Sequence, residues 1–85
     1  MAGEEKSIKF DYSKLRGRIV EVYGNLANYC RETGKDRSIL STKLHNGESM
    51  RQTLIVTIAK ELNIPETEYK SYFFTPRVEK SELEG

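Results

Sequence analysis

Arg37, Ser38, Ser41 and Thr42 place a guanidinium and three hydroxyls within six residues. At helical spacing all four fall on the outer side of one helix, near its N-terminal end. Such a set donates and accepts hydrogen bonds against a polar partner; it does not make or break covalent bonds. The groups that do so are nearly missing. Cys30 and His45 are the single cysteine and the single histidine of 85 residues. An internal disulfide and a thiolate-built metal site within one chain are therefore excluded, and a nucleophile–base pair or zinc catalysis has almost no material. We expect no enzyme, no catalytic residue, no metal, no cofactor and no small-molecule substrate. Cys30 reads as a small buried hydrophobe, and His45 as a surface or helix-end residue.

The elements that must position those four side chains are marked by caps and periodicity. Asp11 is an N-cap for a first helix, with Phe10 before it and Leu15 four positions in, a hydrophobic staple. Leu15, Ile19, Val22 and Tyr23 then recur at helical spacing until Gly24. Gly17 inside this helix implies either a weak helix or a close neighbouring backbone. Asn25 caps a second helix whose inner face carries Leu26, Tyr29, Cys30 and Thr33, and Gly34 ends it. Asp36 caps a third helix through Leu40 and Leu44 to Asn46-Gly47, about residues 36–46. Ser49 and Gln52 form a capping box for a fourth helix with Leu54, Ile55, Ile58 and Leu62. Pro65 at a first helical position, with Glu66 and Glu68, starts a short fifth helix through Tyr69. Tyr72, Phe73, Phe74 and Val78 follow as a β-prone segment closed off by Pro76, a short C-terminal strand.

Composition and charge bound the partner. Hydrophobic residues are 36% and charged residues 32%, the balance of an ordinary globular domain. Residues 1–8 and 79–85 read as disordered polar tails, leaving one domain over 9–78. No apolar run approaches the roughly 20 residues of a bilayer span, and the N-terminus lacks the apolar stretch of a signal peptide; we expect a cytoplasmic protein without membrane contact. The net charge is only +1, yet it is unevenly spread. Lys14, Arg16, Arg18, Arg31, Lys35, Arg37, Lys43 and Arg51 stand against Glu21, Glu32, Asp36 and Glu48, an excess of four positive charges flanked by acidic ends. A basic block of this kind suits a polyanion.

Asn25 to Gly47 thus reads helix, glycine turn, helix, with Tyr29, Cys30, Leu40 and Leu44 facing inward. In a helix-turn-helix the second helix of the pair enters the DNA major groove. The chain also resembles phage Cro/CI-type regulators, and more closely a group of small phage DNA-binding proteins of that fold from Gram-positive hosts. The likeness covers most of the chain. It is carried by Phe10-Asp11-Tyr12-Ser13-Lys14-Leu15-Arg16-Gly17, Ile19-Val20-Glu21, Tyr29-Cys30 before Gly34, Leu40-Ser41, Lys43-Leu44, Leu62-Asn63-Ile64-Pro65 and Tyr72-Phe73-Phe74-Thr75. The resemblance implies a mainly α, five-helix lambda-repressor-like helix-turn-helix domain that binds double-stranded DNA. By position it makes Arg37, Ser38, Ser41 and Thr42 base contacts, with Arg37 gripping guanine O6 and N7, and Asn25, Lys35, Lys43, Asn46 and Arg51 phosphate contacts. Two positions depart from the pattern: Leu26 stands where these proteins usually carry a glutamine that braces phosphate and recognition helix, and Cys30 where a small alanine packs at the helix crossing. Ile39 is apolar on the recognition surface, placed either to touch a thymine methyl or to fill core.

Two function classes follow. The first is a sequence-specific transcriptional regulator, a Cro-like repressor that occupies an operator as a homodimer joined through Tyr72, Phe73 and Phe74. The second keeps the fold but binds another regulator in the manner of an antirepressor, without specific DNA binding; the modest net charge and Leu26 speak for it.

Overall fold

The computed structural model describes residues 9–77. The expected tails and Val78 lie outside the described residues. The fold is mainly helical: α1 Ser13–Tyr23, α2 Leu26–Thr33, α3 Arg37–Asn46, α4 Gln52–Glu61, a 3-10 turn Glu66–Glu68, and α5 Tyr69–Phe73. No helix among the described residues is long and apolar enough to cross a membrane.

The apolar positions at helical spacing converge on one core. Leu15 and Ile19 of α1, Tyr29 and Cys30 of α2, Leu40 and Leu44 of α3, and Ile55, Ile58 and Ala59 of α4 are buried, joined by Tyr12, Leu62, Ile64 and Phe73. Each large apolar member contributes about 1.5–3 kcal/mol relative to an exposed position. Val22 lies outside this set and is exposed, and Leu54 is half-buried. Burial pushes the Cys30 thiol pKa up, so it stays neutral and packs as an apolar group.

Local chemistry corrects several expected boundaries. The Asp11 carboxylate accepts from Ser13 N at 2.8 Å and Ser13 Oγ at 2.6 Å, a turn one residue ahead of the helix. Tyr12 therefore occupies the cap position, without a side-chain cap bond, and α1 begins at Ser13. Those two bonds, with a smaller contribution from Arg77, hold the Asp11 pKa below the usual aspartate value. The expected capping box of Ser49 with Gln52 is not formed: Arg51 precedes α4 without a side-chain cap bond. Pro65 stands one residue before the 3-10 turn, in extended conformation rather than at a first helical position. Gly17 has nothing within 4 Å of where a Cβ would sit, so no close backbone explains it.

The largest correction is at the C-terminus. The Tyr72–Phe74 segment is not a strand: Tyr72 and Phe73 close α5, and the extended pairing is reduced to one antiparallel bridge, Phe10 to Pro76. Helical spacing lets Tyr69 and Phe73 meet edge-on, 5.9 Å between ring centroids, while Phe73 enters the core at 1% exposure. Tertiary burial overrides the β preference of the aromatic run.

Candidate nucleic-acid interface

The α2–turn–α3 unit is fixed at both caps. Asn25 Oδ1 accepts from Asn28 N at 2.7 Å and Asp36 Oδ1 from Ile39 N at 2.9 Å, as their positions in the sequence predict. Losing such a cap costs about 1 kcal/mol. Gly34 ends α2 in the left-handed region at φ 75°, and its turn lets α3 start three residues later.

A partly buried polar brace holds this turn against α4. Lys35 Nζ and the Tyr29 hydroxyl both donate to Glu61 Oε1, at 2.5 and 2.6 Å, and the Lys35 ammonium lies 5.1 Å over the Tyr29 ring. Burial, then the Glu61 hydrogen bond, drives the Tyr29 phenol well above the ordinary tyrosine range. Lys35, expected to hold phosphate, is thus turned inward with 13% of its side chain exposed. The Glu61 carboxylate holds its ammonium against the fold. Sequence reading could not pair it with Glu61, 26 residues away.

The far end of α3 is clipped by both ends of the domain. Phe10 N donates to Gly47 O, Asp11 N to Thr75 O and Arg77 N to Lys9 O, at 2.7–2.9 Å. The Tyr12 hydroxyl donates to Glu48 O at 2.6 Å, and Arg77 Nη2 to His45 O at 3.0 Å, a cation at the negative end of α3. Burial raises the Tyr12 pKa, with Glu48 adding to it. Gly47 is required here: at φ 68° a Cβ would stand 2.5 Å from Phe10 O.

Between these two fixings α3 presents one open face. Arg37, Ser38, Ser41 and Thr42 are exposed and, with Leu26 of α2, line a single shallow groove. All four expected base-contact side chains are brought together there. Leu26 supplies the apolar wall of this groove. Of the expected phosphate residues, Asn25 stands at the positive end of α2 in a hollow it shares with Arg16 and Val20. Arg16, read from the sequence only as part of the basic block, belongs beside it; the α1–α2 packing, not any local signal, brings it there. Lys43 and Arg51 line another hollow together with Ser49 and Met50. Glu48 restrains two of the set, 3.9 Å from Lys43 Nζ and accepting from Asn46 Nδ2 at 3.2 Å.

The expected dimer segment is dispersed. Phe73 is core and leaves the list. Tyr72 is half-buried beneath Lys14, whose ammonium is 4.7 Å from the ring centroid. Phe74 alone of the three is exposed, at 43%, its ring edge-on to Phe10. Among the described residues no group of three His, Cys, Asp or Glu side chains is placed to hold a metal ion.

The sequence profile of a family described as a protein of unknown function, DUF739, matches residues 8–76. No curated protein matches the chain.

Proposed function

We propose that this chain, which belongs to the DUF739 family, is a sequence-specific DNA-binding regulator of the Cro kind that lays α3 in the major groove of an operator. The observation that carries the reading is the open groove of Arg37, Ser38, Ser41 and Thr42 on a helix capped at Asp36 and Gly47. A guanidinium at the first turn can form two bonds to guanine, and the hydroxyls adapt to either donor or acceptor edges. Asn25 with Arg16 at the α2 N-terminus, and Lys43 and Asn46 in the last turns of α3 with Arg51 beyond it, then hold phosphates on the two sides of the groove. Lys35 is not among them.

A domain of this size covers little DNA, so two copies on half-sites about 34 Å apart complete the reading. Phe74 is the exposed aromatic left to join them. Occupation of the operator excludes polymerase, and the regulator represses.

Selecting bound duplexes from a random pool tests the reading: a defined site should emerge, bound with strong salt dependence. Leu26 in the groove favours the second reading, a domain that uses this face on another regulator. A stoichiometric protein partner on purification, with no duplex retarded at low salt, would establish that one instead.

A further inference from the structure

Three apolar residues of α3 have different fates. Leu40 and Leu44 enter the core, but Ile39 is 59% exposed, the most exposed large hydrophobic side chain among the described residues. At that exposure Ile39 does not fill the core. Its backbone N–H is held by the Asp36 carboxylate, which fixes its place at the start of the helix. It follows Ser38 in sequence and stands one turn before Thr42 and Lys43. Around it, Lys35, Asp36, Lys43 and Leu54 line a shallow hollow on the α4 side of α3.

That position lies between side chains that address base edges and a lysine that addresses the backbone. In the major groove the one apolar feature of a base pair is the C5 methyl of thymine, set toward the phosphates of its own strand. Isoleucine is stiff at χ1, so it loses little freedom when a methyl is pressed against it. We propose that Ile39 reads the C5 methyl of a thymine and thereby fixes one base of the operator. The inference rests on the reading of α3 as the groove helix and goes beyond it in assigning an apolar specificity contact.

The test uses the full chain and the duplex obtained from random selection, with each thymine replaced in turn by deoxyuridine, which removes only the methyl. The parent should lose about four-fold in affinity at one thymine per half-site, the worth of one methyl withdrawn from water. Ile39→Ala should bind the thymine and uridine duplexes alike, and Ile39→Val should keep the discrimination; both should melt where the parent does, since the residue packs little. A specific site indifferent to every uridine, a selected site without thymine, or discrimination that survives Ile39→Ala would overturn this inference while leaving DNA binding in place. Failure to retard any duplex would overturn both together.

Discussion

Arg37 and Lys35 lie two residues apart and carry the same charge, yet their surroundings give them opposite work. Arg37 opens onto the α3 groove with Ser38, Ser41 and Thr42. Arg37→Ala should cost on the order of 1–3 kcal/mol of binding and relax preference at one base pair, read by titrating a set of single-base operator variants. Lys43→Ala should weaken all sequences alike and lower the salt slope by about one. Lys35→Met should leave that slope unchanged and lower the melting temperature instead, because it strips the half-buried Glu61 of its cation. An altered salt slope for Lys35→Met would return the residue to the DNA surface. The two buried phenols carry a pH prediction. Tyr12 and Tyr29 have raised pKa values in the fold, so the native state keeps protons that the unfolded chain releases near pH 10. Their contribution is complete below that pH and declines as pH rises toward the folded values. Thermal midpoints should therefore fall above about pH 10, and less steeply in Tyr29→Phe; an unchanged slope in that variant would contradict the assignment.

At the scale of elements, the glycines separate conformation from crowding. Gly47→Ala meets both a positive φ and Phe10 O at 2.5 Å, and should destabilise by more than the roughly 1–2 kcal/mol of left-handed strain expected for Gly34→Ala, whose surroundings are open. Gly17→Ala, in open space inside α1, should stabilise by roughly 0.5–1 kcal/mol. Denaturant midpoints of the three variants check the order. The same elements show what a sequence exposes. Asn25 and Asp36 were legible as caps because a cap bond spans three residues, and Leu40 and Leu44 as core because one helical face repeats locally. Lys35–Glu61 and Tyr12–Glu48 were not, since they join residues 26 and 36 positions apart. Tyr72–Phe74 was misread as a strand because local β preference cannot register the cavity that Phe73 fills. Ser49 failed as a cap because Arg51 already leads directly into α4.

Across the whole molecule, the proposed reading puts DNA on one side and leaves the other free of it. Arg16, Asn25, Arg37, Lys43 and Arg51 belong to the α2–α3 side, whereas Glu66, Tyr69 and Phe74 share a hollow with Met50 and Val56. Sedimentation of the complex should give two protomers per two-fold operator, and one per duplex would remove the pairing through Phe74. Whether the open face of α3 meets the groove is read from the backbone amide resonances as the selected duplex is added. The largest shifts should fall at Asn25–Ala27 and Arg37–Lys43. Shifts confined to Ile55–Val56 and Glu66–Phe74, with the α3 amides unmoved, would contradict it.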